Sequence, residues 1–276
     1  MDFVELQVSC NSEFREILIA EIGDLGFDSM IETENGFNAY IEEEKFNELP
    51  VKSLMGKYGS SADFNYKSLI IARKNWNEEW EKNFSPVVIK GVCAIRASFH
   101  EPFPDVKYEI IINPKMSFGT GHHATTSLMI GLQLEIDHKD LKVLDCGCGT
   151  GILSIMAAKL NAHSVTGFDI DEWAVENSIE NSSINGVKDY TFLHGTILDI
   201  DNSSKYDIVL SNINKNILID NLAHYEQYLS GNGRLILSGF YLTDLPDIRS
   251  KAEALGLKFV KSEELNDWAA VVFINK

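Results

Sequence analysis

Residues 2–9 alternate in polarity, with Val4, Leu6 and Val8 on one side, which is the period of a half-buried strand. Ser12 then stands where a helix cap is wanted. Phe14, Ile17, Leu18, Ile22 and Leu25 follow at helical spacing, and Gly26 is placed to end the helix. Two strand-like runs between residues 27 and 42 flank Asn35-Gly36, a dipeptide suited to a tight hairpin turn. A short helix over 43–58, limited by Pro50, completes a β-α-β-β-α module. Residues 1–62 are therefore expected to form a small α+β, ferredoxin-like domain. It holds no catalytic constellation, so its natural task is to recognise a substrate. Residues 63–85 are polar with Trp76, Trp80 and Phe84 spaced by four, which predicts an amphipathic helical linker ending before Pro86.

From residue 87 to 112 short strands are broken by Pro102 and Pro104. The pattern then becomes regular. Strands are expected at 142–145, 164–168, 190–194, 206–211 and 234–238, with helices at 152–160, 172–185, 215–229 and 245–255. Alternation of this kind means a parallel sheet covered on both faces. The last two strands, at 258–264 and 268–275, are joined by a loop so short that only antiparallel pairing fits. Residues 86–276 thus predict an α/β doubly wound sheet with an antiparallel last strand.

Charge narrows the partners. Lys and Arg number 24 against 41 Asp and Glu, a formal net charge of −17, so binding of a polyanion by counterion release is disfavoured and a basic protein fits better than nucleic acid. Cys10, Cys93, Cys146 and Cys148 match neither a zinc knuckle nor a disulfide framework. The start carries acidic residues where a signal peptide would be basic, and no apolar run reaches the roughly 20 residues that cross a bilayer. The expectation is a cytoplasmic monomer without membrane association.

The chemistry concentrates in 143–152, Val-Leu-Asp-Cys-Gly-Cys-Gly-Thr-Gly-Ile, an apolar strand running into Gly147, Gly149 and Gly151 and then a helix. Glycines there let backbone approach a ligand at the carboxyl end of a first strand. A dinucleotide fingerprint would need glycine at 152, where Ile stands. With Asp145 directly ahead, this spacing is the form seen in class I methyltransferases, which implies S-adenosylmethionine. Asp169 closes the second strand and can accept both ribose hydroxyl protons, while Asp171 suits the cap of the following helix.

At the end of the fourth strand, Asn212 has an amide oxygen that can accept hydrogens from an amine and aim its lone pair at a methyl group, making it the catalytic candidate. Ahead of the glycine loop, residues 113–126 offer Phe118 to cover an apolar part of the ligand. Gly119 and Thr120 lie in the turn beside it, and Thr126 can bond the ligand's polar end. Adjacent His122 and His123 have no evident third metal ligand.

These motifs resemble the bacterial methyltransferases of ribosomal protein L-eleven, the PrmA family. FGTGHHATT is similar to that family's F-G-T-G-T-H-P-T-T, with His122 in place of Thr and Ala124 in place of Pro. The likeness runs on through WNEEWEKNFSP, LDCGCGTGILSI, GFDID and SNI to Trp268, covering about the last 200 residues by motif and the first sixty only by layout. The resemblance implies an amino-terminal domain that holds a basic ribosomal protein. It also implies a carboxyl-terminal domain in which Thr126, Gly147, Asp169 and Asn212 contact S-adenosylmethionine, with methyl transfer to lysine side chains and the terminal amine. The residues alone leave open a methyltransferase of another protein, RNA or a small amine, a non-catalytic nucleoside-binding module, and a nicotinamide oxidoreductase.

Overall fold

The structure, a computed structural model, describes residues 3–71, 85–113, 115, 117–201 and 203–276, and the chain divides into two compact units, 1–83 and 84–276. In the first unit the alternating strand β1 (Phe3–Ser9) lies between β3 (Gly36–Glu42) and β4 (Asn65–Ile71), antiparallel to both. The strand β2 (Ser29–Thr33) pairs with β3, giving the order β2-β3-β1-β4. Val4, Leu6, Val8, Phe37, Ala39 and Ile41 form the inner face of this sheet. They pack in one buried cluster with Leu18 and Ile22 of α1 (Arg15–Gly23) and Val51 and Leu54 of α2 (Glu48–Ala62). Asn47 caps α2 by accepting the Leu49 N–H at 3.1 Å. Pro50 sits in the first turn, where a missing N–H leaves no helical bond unmade.

Three local expectations change. Residues 65–71, assigned above to a helical linker, form β4 instead, because β1 has a second edge to pair and the register Val8↔Tyr66, Leu6↔Ser68, Val4↔Ile70 supplies it. The module is therefore β-α-β-β-α-β, the ferredoxin-like arrangement. Trp76, Trp80 and Phe84, whose spacing suggested the helix, lie outside the described residues. Ser12 opens a single 3-10 turn, and no side chain caps α1. The hairpin turns at Glu34-Asn35, with Gly36 already in β3 opposite Thr33.

The second unit carries a seven-stranded sheet of order β10-β9-β8-β11-β12-β14-β13. Its strands are β8 (Lys142–Cys146), β9 (Ser164–Asp169), β10 (Tyr190–His194), β11 (Tyr206–Asn212), β12 (Leu229–Tyr241), β13 (Lys258–Leu265) and β14 (Trp268–Ile274). The first five run parallel, and β14 is antiparallel to both of its neighbours. Alternate residues of each strand feed two cores. On one face Val143, Val165, Ile208 and Ile236 meet α3 (Ala124–Gln133) and α4 (Ile152–Lys159). On the other, Leu144, Val209, Leu235 and Phe273 meet α6 (Lys215–Tyr228) and α7 (Leu245–Ala254).

A helix α5 (Glu172–Ile184) follows β9, with Asp171 at its cap position but making no side-chain cap bond. A separate sheet of β5 (Val87–Ile89), β6 (Cys93–Arg96) and β7 (Tyr108–Ile111) precedes α3. Helix α3 was not expected: nine of its ten residues are buried, so it shows no polar face, and Thr125, Thr126 and Gly131 are poor helix formers. Successive strands leave β8 in both directions, β9 on one side and β11 on the other. A switch point of this kind opens a crevice at the carboxyl ends of the strands.

Candidate active site

The glycine loop between β8 and α4 folds back over the end of β9: the N–H groups of Gly147 and Cys148 both donate to the Phe168 carbonyl, at 2.9 and 3.0 Å. A side chain on Gly147 would lie 2.6 Å from Ile213 Cγ2, next to Asn212, and one on Gly149 would lie 2.4 Å from the Phe118 carbonyl oxygen. The loop is thus a cradle that admits backbone only. Gly151, at φ 77°, opens α4, and a side chain there would lie 3.0 Å from Ser178 Cβ of α5.

Asp169 is fixed by two backbone donors, Gly149 N–H to Oδ2 at 2.9 Å and Asp171 N–H to Oδ1 at 3.1 Å. Each carboxylate oxygen keeps a lone pair free for a ribose hydroxyl. Asp145 is fully buried beneath the loop. Its Oδ2 accepts the Ser154 hydroxyl at 2.6 Å, and its Oδ1 has no partner. Burial, helped by the charge of Asp169, pushes its pKa up to about 6. A buried acid in that state is a receptor for positive charge. The neighbouring thiols of Cys146 and Cys148 are pushed far up by burial, which keeps them protonated and unreactive.

β11 ends beside β8, with Ser211 paired to Cys146, and delivers Asn212 to the rim of the cradle. The Asn212 Oδ1 atom is buried with no hydrogen-bond partner. Asn214 instead caps α6 by accepting the Asn216 N–H at 3.0 Å. The Thr126 hydroxyl, in the first turn of α3, is also buried and unpartnered. Phe118 is 55% exposed, with its carbonyl accepting the Thr150 N–H at 3.0 Å, and Gly119 O accepts the Thr150 hydroxyl at 2.7 Å. Thr120 turns its hydroxyl to His122, 3.3 Å away.

Further polar atoms, on the covering loop and on α5, share this state. Ser117 Oγ and Asn177 Oδ1 are buried and unpartnered like the expected contacts. A row of rings runs from Phe118 to His123 (5.4 Å), to Trp268 (4.7 Å) and to Tyr241 (4.3 Å), beginning at the cradle loop and ending at the tip of β12. Asn177 was detectable in the sequence as the first of three asparagines spaced by four, 177, 181 and 185, on α5 and its carboxyl-terminal cap. Tyr241 and Ser117 gave no such signal. Among the described residues no group of three or more His, Cys, Asp or Glu side chains could hold a metal ion.

A sheet wound in this order, with its cradle at the switch point, is the class I methyltransferase fold, whose donor is S-adenosylmethionine. The residues present fit that donor: orphaned polar atoms at Asp145, Thr126 and Asn212 lack the partners a polar nucleoside provides. The family model described as "Ribosomal protein L11 methyltransferase (PrmA)" matches residues 4–276, and the chain belongs to this family.

The chain is 43% identical over 269 residues to a ribosomal protein L11 methyltransferase of Phocaeicola vulgatus, covering 97% of this chain and 96% of that one. A protein of the same name from Bacteroides fragilis is 42% identical over 267 residues, covering 96% and 95%. Among solved structures, the ribosomal protein L11 methylase of Lactobacillus delbrueckii subsp. bulgaricus is similar at 28% identity and a TM-score of 0.63, over 70% of this chain and 100% of that one. Family, fold class and donor agree with the resemblance carried by the sequence motifs.

Proposed function

We propose that this enzyme transfers methyl groups from S-adenosylmethionine to amines of ribosomal protein L11, at lysine side chains and at the terminal amine. The observation that carries the reading is the Asn212 amide oxygen, buried and unpartnered at the end of β11, one residue from the contact between Ile213 and Gly147. Bound in the cradle, the donor supplies an electrophilic methyl group on sulfur. Asp169 would hold the ribose, and the buried carboxylate of Asp145 would balance the donor's positive charge. Thr126 meets a polar end, while Phe118, Gly119 and Thr120 line the covering loop and Gly147 and Gly149 admit it to the backbone.

Asn212 Oδ1 accepts an N–H of the incoming amine and aims its lone pair along the line of displacement. A lysine must first lose its proton. The nearby cationic donor and partial desolvation lower its pKa from about 10.4, so no dedicated base is required.

The unit formed by residues 1–83, with its own core and no catalytic constellation, serves recognition of the ribosomal protein. The net charge of −17 suits a basic partner and disfavours direct contact with nucleic acid. Among the described residues no helix is long and apolar enough to cross a membrane. The enzyme is proposed to act as a monomer in the cytoplasm, where ribosomal proteins are assembled.

Incubation of the chain with labelled donor, purified ribosomal proteins and ribosomal RNA tests the reading. Label in L11 is expected, and label only in RNA would overturn it. Asn212→Ala should keep S-adenosylhomocysteine affinity within about tenfold while turnover falls on the order of a hundredfold. Equal turnover in mutant and wild type removes Asn212 from the chemistry.

A further inference from the structure

We infer that Thr150 and Asn181 are positioning residues, forming a clasp that holds the loop ahead of α3 against the glycine loop and so preorganises the donor cradle. The inference rests on the donor-site reading above and adds two residues to it. Strand β7 is the edge of its small sheet, and the backbone at its end and just beyond is met by the amide side chains of Asn185, the residue that follows α5, and of Asn181 within it. Asn185 pairs with both groups of Ile111, accepting its N–H at 2.9 Å and donating to its carbonyl at 2.6 Å, as a neighbouring strand would. One helical turn earlier, Asn181 Oδ1 accepts the Asn113 N–H at 3.0 Å. The other end of the same amide donates to the Thr150 carbonyl at 3.0 Å. Asn181 therefore ties the entry of the covering loop to the exit of the glycine loop.

Thr150 completes the clasp from the other side, with its N–H on the Phe118 carbonyl at 3.0 Å and its hydroxyl on the Gly119 carbonyl at 2.7 Å. Both residues are fully buried. Residues 117–121 contain no helix or strand: Thr150 holds Phe118 and Gly119, Asn181 anchors the entry at Asn113, and the Ser127 hydroxyl donates to the Gly121 carbonyl at 3.2 Å beyond them. A loop ordered before the ligand arrives spares binding the cost of ordering it. Breaking one bond leaves a buried partner unpaired.

The test uses the full chain. Thr150→Val keeps the branched shape and removes only the hydroxyl, Thr150→Ser restores it, and Asn181→Asp sets an acceptor against the Thr150 carbonyl. Calorimetry with S-adenosylhomocysteine should show the Val and Asp variants weakened on the order of ten- to hundredfold. Their KM for the donor should rise in step while kcat at saturation stays within about threefold, and the Ser variant should bind within about threefold of wild type. Unchanged affinity in folded Val and Asp variants, or a Ser variant as weak as Val, overturns the clasp. Hydrogen exchange on the ligand-free wild type decides the matter if those variants do not fold: the Thr150 amide should be protected, and free exchange there sinks the inference. Failure of the wild type itself to bind S-adenosylhomocysteine would instead remove the donor-site reading.

Discussion

Asp145 illustrates how a residue chosen by motif acquires its properties from burial. Its side chain is fully buried with one bonded and one orphaned oxygen, and its pKa rises to about 6. In the unfolded chain it titrates near 3.9. The folded, ligand-free protein thus binds this proton more tightly than the unfolded chain does. The resulting stability is fully present below pH ~3.9 and is lost as pH rises through about 6. Above that pH the buried charge is a net cost. Asp145→Asn should raise the ligand-free Tm at pH 8, by up to roughly 3 kcal/mol of stability, while weakening S-adenosylhomocysteine binding. Thermal melts at pH 5 and 8 check this: the gain should shrink at pH 5, and a gain independent of pH contradicts an ionised Asp145. The motif marked this aspartate in the sequence, but its depth and its free oxygen did not show there.

At the scale of elements, the cradle works because two loops meet with no side chain between them. Gly149 has φ 53°, and a methyl group there would fall 2.4 Å from the Phe118 carbonyl. Gly149→Ala should lower stability by about 1–3 kcal/mol and weaken S-adenosylhomocysteine binding more than tenfold, read by denaturant melts and calorimetry. Normal binding by this variant would mean that the two loops are not in contact.

Most elements of the second unit were legible, because strands such as 190–194 and helices such as 245–254 carry their periodicity within a few residues. Helix α3 was not, since burial on nearly every side erases the amphipathic pattern. Strand β4 was missed for another reason: what makes residues 65–71 a strand is the free edge of β1, about sixty residues away in the chain.

For the whole molecule, the two units have separate cores: Phe37, Phe64 and Leu18 belong to one cluster of the first unit, while two other clusters fill the second. Phe37→Ala, at a fully buried position, should destabilise the first unit by about 3–5 kcal/mol. S-adenosylhomocysteine affinity should stay within about twofold, while methyl transfer to ribosomal protein L11 falls. A two-probe melt combined with calorimetry and a transfer assay would show it, and joint loss of donor binding would argue against independent units.

The sequence by itself determined the alternation of strands and helices, the glycine loop with its acids, and the amide at the end of the fourth strand, because each is written in residues that are neighbours along the chain. Tertiary structure alone decided which edge β4 would join, that α3 would be buried, that Asp145 would hold its proton to about pH 6, and that Thr150 and Asn181 would face one another. Those outcomes depend on burial and on pairing between distant segments, and neither has a local signature.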